Sequence, residues 1–286
     1  MHVRPDTPEV GSVATLRWEP FKTLRHDCPQ SLRQHGMLVP GDLEQRVQRA
    51  FANQSVLMVG DSTMNQKAQK LASLLSGRPV NDSSIFTGCG GRPGVCHVHY
   101  NSMSAVQWCK AMLAPQPTAS YPEAFNRSEQ VSVVVWNLNG LHQLHLGAVR
   151  RPGFSGVGSN DSAWPLYFDL LRRCQESVTT WYPHAVQVYT LTNHACSQRW
   201  YGRYAEESER MKEGSPLSPA FWMQLNEIGT ASIRFAEIQA VPPRHVLDSF
   251  TDGMCNCTHD GRHYHTDVDG WWMVQLMAKL GRRTVV

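Results

Sequence analysis

Ser55-Val56-Leu57-Met58-Val59-Gly60-Asp61-Ser62 decides the fold of this chain. A short, continuously apolar run closed by a turn signal is the pattern of a strand buried on both faces, as in a parallel sheet. Beyond the turn, Met64, Ala68, Leu71, Ala72, Leu74 and Leu75 fall mostly at helical spacing, and Gly77-Arg78-Pro79 closes the segment with glycine then proline. The unit predicted is strand, sharp turn, helix. Ser62 stands at the turn, where the dipole and the unpaired N–H groups of a helix start favour a developing negative charge.

The same alternation continues along the chain. Val131 to Trp136 reads as a second buried strand, and Asn137-Leu138-Asn139-Gly140 follows it at once. A long helical pattern from Asn160 to Tyr182 leads to a third strand over Val186 to Leu191. Ser218-Pro219 opens a helix to about Ile238, Arg244 to Leu247 is a short fourth strand, and Asp267 to Leu280 makes a closing helix. Upstream, Asp42 is placed as the N-cap of a helix through about Ala52, with Gln45 where a capping box takes Glu or Gln. Residues 1–41, rich in Pro and polar side chains, read as an extended lead-in to one domain over 42–286, and residues 81–130 read as loop-rich. Strands alternating with helices predict an α/β fold, a mainly parallel sheet covered on both faces. Reactive groups of such sheets gather at the carboxyl ends of the strands.

Asp260-Gly261-Arg262-His263 near the C-terminus supplies what Ser62 lacks. On a tight loop, a carboxylate three residues before a histidine accepts from Nδ1 and leaves Nε2 to face a nucleophile. Either motif alone has an ordinary explanation, since Asp-Ser before a helix is also common capping chemistry. Together, Ser62, Asp260 and His263 form a candidate nucleophile, orienting acid and base. Asp61 is expected to tie down the turn. Oxyanion donors are sought in Asn137, in Asn139, and in the backbone of Gly90 with its neighbours Gly88 and Gly91, although glycines there also fit plain turn roles.

Composition narrows the setting. The 286 residues are 41% hydrophobic, enough for one large core, and a formal charge of +3 gives no field for a nucleic acid. Eight cysteines, at 28, 89, 96, 109, 174, 196, 255 and 257, suit disulfides in an oxidising compartment. Sequons at Asn53, Asn81, Asn126, Asn160 and Asn256 point the same way. A lumenal or extracellular address is therefore expected, with membrane attachment only through a segment absent from this chain. The first thirty residues hold no apolar core of a signal peptide. A local Cys89–Cys96 disulfide fits the glycine-containing stretch between those residues. Cys255, Cys257, His259, His263 and His265, or His97 and His99, would be candidates for zinc. Cys-X-Cys is not the usual knuckle spacing, so disulfides are the expected use of those sulfurs and no metal is expected. Trp271-Trp272 and Phe221-Trp222 lie in helical patterns and are read as core, not as sugar-stacking platforms.

Gly60-Asp61-Ser62-Thr63, the strand before it, Trp136-Asn137-Leu138-Asn139-Gly140 and Asp260-Gly261-Arg262-His263-Tyr264 together resemble the PC-esterase branch of the SGNH (GDSL-like) hydrolase superfamily. That branch includes the trichome-birefringence-like, sialate O-acetyltransferase and neurexophilin-and-PC-esterase proteins. The resemblance runs from about residue 42 to 286, and only the two end motifs are specific. It implies a three-layer α/β/α fold, with Ser62 as nucleophile, His263 as base and Asp260 as its acid. It further implies O-acetylation or de-O-acetylation of carbohydrate or glycoconjugate substrates in the Golgi lumen or outside the cell. No bound cofactor is implied; a transferase would use an acetyl donor such as acetyl-CoA. Relatives commonly carry an arginine shortly after the Gly-Asp-Ser turn, where this chain has Met64-Asn65-Gln66. The competing expectations are a non-catalytic glycan- or protein-binding member of the fold and a lipid or small-ester hydrolase.

Overall fold

The computed structural model describes residues 28–80, 94–99, 131–137, 163–194, 196, 226–227, 229–231, 234, 244–258 and 260–281. In chain order they form α1 (Cys28–Gln34), α2 (Leu43–Ala50), β1 (Ser55–Gly60), α3 (Ser62–Ser76), β2 (Gly94–His99), β3 (Val133–Trp136), α4 (Ala163–Trp181), β4 (Val186–Thr190), β5 (Arg244–Leu247), a 3-10 turn (Cys255–Cys257) and α5 (Thr266–Lys279). The described residues between 226 and 234 are helical. Among the described residues, no helix is long and apolar enough to cross a membrane.

All five strands pair in parallel, in the order β2-β1-β3-β4-β5. Register decides which side chains share a face. Val56 and Met58 align with Val133 and Val135, which align with Val186 and Val188, and Thr190 aligns with Leu247. This face meets α2, α3 and α5 through Leu43, Val47, Met64, Ala68, Leu71, Trp272, Met273 and Leu276 in one buried cluster. The opposite face carries Leu57, Val59, Val134, Trp136, Gln187 and Tyr189, since alternate residues of a strand point to opposite sides. There Gln187 donates to Thr179 of α4 at 3.3 Å, and Gly229 lies so close to the Tyr189 ring that a Cβ would approach it to 2.9 Å. The result is a three-layer α/β/α sandwich around a parallel sheet.

The order places the first strand inside the sheet, with β2 on one side and β3 on the other. The chain thus reverses its winding between β1 and β3. In open parallel sheets the crevice at this switch point, outside the carboxyl ends of the strands, is where ligands bind. Ser62 begins α3 directly beyond the carboxyl end of β1.

Several local expectations are revised. Asp42 is the N-cap residue of α2, yet its side chain makes no cap hydrogen bond; it pairs with Arg46 at 2.6 Å instead, so no capping box forms. Residues 28–34 are helical within the stretch read as an extended lead-in, and Cys28 is joined to Cys257. The segment read as loop over 81–130 contains β2, an edge strand with Val95 buried. Ser218-Pro219, Phe221-Trp222, Cys89, His259 and the sequons at Asn81, Asn126 and Asn160 lie outside the described residues.

Candidate active site

Asp61 begins the site by capping α3. Its Oδ1 accepts from the Thr63 backbone N–H at 3.0 Å and from the Thr63 hydroxyl at 2.7 Å, which pins the first turn and leaves Ser62 at its rim. Its Oδ2 accepts from Arg262, 201 residues away in sequence. Both partners are buried, with side chains 6% exposed. Burial alone would raise the Asp61 carboxyl; Arg262, the Thr63 hydroxyl and His263 outweigh it and hold the group at about 2.

The second half of the site is the loop between the 3-10 turn and α5. Gly261 has φ 82, a left-handed conformation that L side chains rarely adopt, and this bend folds the loop back on Asp260. Asp260 Oδ1 accepts from the backbone N–H groups of Arg262 at 2.9 Å and His263 at 2.7 Å. Its Oδ2 lies 2.5 Å from His263 Nδ1. Burial would raise Asp260, but the His263 imidazole and these two N–H donors prevail and hold it well below the usual carboxylate range. The Thr258 hydroxyl donates to the His263 carbonyl at 2.7 Å, and Thr258 and Tyr264 form an antiparallel bridge that closes the loop at its base.

The two halves meet where His263 Nε2 lies 2.8 Å from Ser62 Oγ. The structure thus brings Ser62, His263 and Asp260 into one hydrogen-bonded line. A ring held at Nδ1 by a carboxylate can take a proton from a hydroxyl at Nε2, which is the geometry of an activated serine.

Two disulfides tie down the 3-10 turn that leads into this loop. Cys257 is bonded to Cys28 of α1, and Cys255 to Cys196 beyond β4. The Cys196 N–H donates to the Gly261 carbonyl at 2.8 Å, and the His265 N–H donates to the Cys257 carbonyl at 2.7 Å. Cys174 is disulfide-bonded as well. The sulfurs of Cys255 and Cys257 are therefore not available as zinc thiolates. His265 caps α5 by accepting from the Asp267 N–H at 3.3 Å.

Of the oxyanion candidates, Asn137 is buried at the end of β3, where its Nδ2 donates to the Thr190 carbonyl at the end of β4 at 2.8 Å. Asn139, Gly88, Gly90 and Gly91 lie outside the described residues. The structure adds residues that sequence reasoning passed over. Arg262, quoted inside the Asp-Gly-X-His motif, pairs with Asp61. Lys67, Asn193 and Asp269 form a buried polar group behind the site. Only the position of Arg262 beside His263 could have drawn attention to it.

No model of a protein family matches the sequence, and no curated protein matches it. Among solved structures, the chain is similar to a carbohydrate esterase family 3 protein from Talaromyces cellulolyticus. The identity is 13%, the TM-score 0.47, and the match covers 80% of this chain and 97% of that one. It is also similar to the salicylyl-acyltransferase SsfX3 from a tetracycline biosynthetic pathway, at 10% identity and TM-score 0.46, covering 82% of this chain and 57% of that one. At these values the likeness bears on neither substrate nor site.

Proposed function

We propose that this protein is a serine-dependent acyl-transfer enzyme that adds or removes O-acetyl groups on glycan hydroxyls through an acyl-enzyme at Ser62. The observation that carries the reading is the 2.8 Å contact between His263 Nε2 and Ser62 Oγ, with Asp260 held 2.5 Å from Nδ1 of the same ring. His263 takes the Ser62 proton as Oγ bonds to the acyl carbonyl carbon. Asp260 stays ionised, fixes the ring and balances the imidazolium. The tetrahedral oxyanion is met by the Ser62 N–H at the start of α3 and by a second donor. The candidates for that second donor are Asn137, whose Nδ2 also donates to the Thr190 carbonyl, Asn139 and the Gly90 N–H. Collapse of the intermediate expels the leaving oxygen or thiol, which receives the proton from His263. A sugar hydroxyl or water then gives its proton to His263 and attacks the acyl-enzyme, releasing Ser62.

The carbohydrate class rests on the combined Gly-Asp-Ser and Asp-Gly-X-His-Tyr motifs, which resemble glycan O-acetyl enzymes. Two disulfides at the 3-10 turn that leads into the base loop suit the Golgi lumen or an extracellular site. The sequon residues Asn53 and Asn256 are exposed, as N-glycosylation requires.

Incubation with a fluorophosphonate probe tests the enzyme reading: labelling is expected in the parent protein and lost in Ser62→Ala. Folded protein that takes no label would sink it. Mass spectrometry of an acetyl adduct on Ser62 after exposure to acetyl-CoA or acetylated sugars then separates transferase from esterase. Rapid turnover of longer acyl esters, with none on acetylated sugars, would remove the glycan assignment while keeping the nucleophile.

A further inference from the structure

Lys67 lies on α3, five residues after the proposed nucleophile, and is 3% exposed. Its neighbours along the helix, Met64, Ala68 and Leu71, belong to the buried apolar cluster. Burying an ammonium carries a desolvation cost of several kcal/mol unless good partners surround it. Its Nζ donates to Asn193 Oδ1 at 3.0 Å, stands 3.8 Å from Asp269 Oδ1, and lies 5.7 Å from the centroid of the Trp272 ring. Burial pulls the ammonium below its ordinary range against the pull of Asp269 and Asp61, and burial pushes Asp269 up to about 6.

Asn193 is a bridge with two different ends. Its oxygen takes the lysine, and its Nδ2 donates to the Arg262 carbonyl at 3.1 Å. That carbonyl and the His263 N–H belong to one peptide unit, whose N–H donates to Asp260 Oδ1 at 2.7 Å. The peptide that carries His263 is therefore held at both poles, by Asn193 and by Asp260. A flipped Asn193 amide would set its NH2 against the ammonium, donor against donor, so the cation admits only the orientation that serves Arg262.

Accepting the roles proposed above for Ser62 and His263, we infer that Lys67 is a positioning residue: it fixes the Asn193 amide, which holds the 262–263 peptide and so keeps the His263 ring in reach of Ser62. Lys67 touches no reacting atom. It joins the helix of the nucleophile to the loop of the base through a single amide.

Two variants test this by fluorophosphonate labelling rate, melting temperature and the downfield imidazole proton of His263 in NMR spectra, identified by its loss in His263→Gln. Asn193→Asp keeps an acceptor for Lys67 but sets an oxygen against the Arg262 carbonyl. Its labelling is expected to slow roughly tenfold to a hundredfold, as a misplacement of about 1 Å does, with a broadened His263 signal. Lys67→Met/Asp269→Asn removes both buried charges, so the fold is retained and the rate is expected to be as low as in Asn193→Asp. Parent-like labelling with an unchanged His263 signal in either folded variant overturns the inference. Should the parent protein take no label, the enzyme reading falls by itself. The His263 signal then decides the positioning role: broadening in Asn193→Asp upholds it, and no change ends it.

Discussion

Asp61 and Arg262 form a buried ion pair whose members stand one residue ahead of Ser62 and His263. Two consecutive residues of the nucleophile turn thus meet two consecutive residues of the base loop, charge with charge and hydroxyl with imidazole. The ion pair sets the register in which Ser62 meets His263. Removing one partner of a buried pair leaves an uncompensated charge, at about 3–5 kcal/mol. Arg262→Gln is expected to lose stability of that order and to label with fluorophosphonate at least about tenfold more slowly, because small misplacements of reacting groups are costly. Asp61→Asn/Arg262→Gln should recover most of the melting temperature and little of the rate. A double variant that labels at the parent rate would show that the pair contributes stability only.

The same pair has a signature in acid. Asp61 sits at about 2 in the folded protein against an ordinary 3.8, so the native state binds fewer protons than the unfolded chain between those values. Its contribution is complete above 3.8 and is lost as the pH falls toward about 2. At about 1.4 kcal/mol per unit, the amount is about 2–3 kcal/mol. Arg262 is the foremost group lowering it, so Arg262→Gln should flatten unfolding free energy against pH in this acid window. Denaturant titrations at stepped pH measure the slope; an unchanged slope would mean that Thr63 and His263 alone hold the carboxylate down.

Gly60 has a steric reason to be glycine that its position in the motif does not reveal. A Cβ there would lie 2.4 Å from Met64 Cβ and 2.9 Å from Met64 Cγ. Met64 is on the first turn of α3 and fully buried, so the strain must be relieved by moving that turn away from β1. Overpacking of this kind costs about 1–3 kcal/mol. Gly60→Ala is expected to fold with a lowered melting temperature and to label at least about tenfold more slowly, since Ser62 rides on the displaced turn. Parent-like labelling would show that Met64 yields without disturbing the nucleophile.

How much of this was legible in the sequence follows from range. β1 and α3 are readable because Val56 to Val59 and the Met64-to-Leu75 pattern state burial locally, and Gly77 ends the helix in a left-handed conformation with φ 66. β2 escaped notice because it is an edge strand whose Cys96, His97 and His99 interrupt the apolar pattern. α1 has only seven residues, too few to establish a period, and Cys28 and Leu32 are buried against a distant part of the chain. Within the site, Ser62, Asp260 and His263 announce themselves because each belongs to a short motif. Arg262, Lys67 and Asn193 do not, because their roles depend on partners 201, 126 and 69 residues away. Helical spacing cannot separate a buried lysine from a solvated one. Nor does a motif show that the amide of Asn137 turns to the Thr190 carbonyl.

The two disulfides of the base loop should separate stability from activity. Cys28–Cys257 spans 229 residues and Cys196–Cys255 spans 59, and the loop-closure term grows only with the logarithm of length. On that term, Cys28→Ser/Cys257→Ser should cost about 1 kcal/mol more in unfolding free energy than Cys196→Ser/Cys255→Ser. Activity should follow the opposite order. Cys196 is the residue whose N–H holds the Gly261 carbonyl, at the bend between Asp260 and His263, whereas Cys28 is bonded to Cys257 at the end of the 3-10 turn, ahead of that bend. Freed of its disulfide, the 196 segment loosens that bend while the core stays packed. Cys196→Ser/Cys255→Ser is therefore expected to label more slowly than the less stable Cys28→Ser/Cys257→Ser, when both are assayed well below their melting temperatures. If labelling instead declines in step with stability across both variants, the disulfides hold the fold alone and the bend at Gly261 keeps its shape without Cys196.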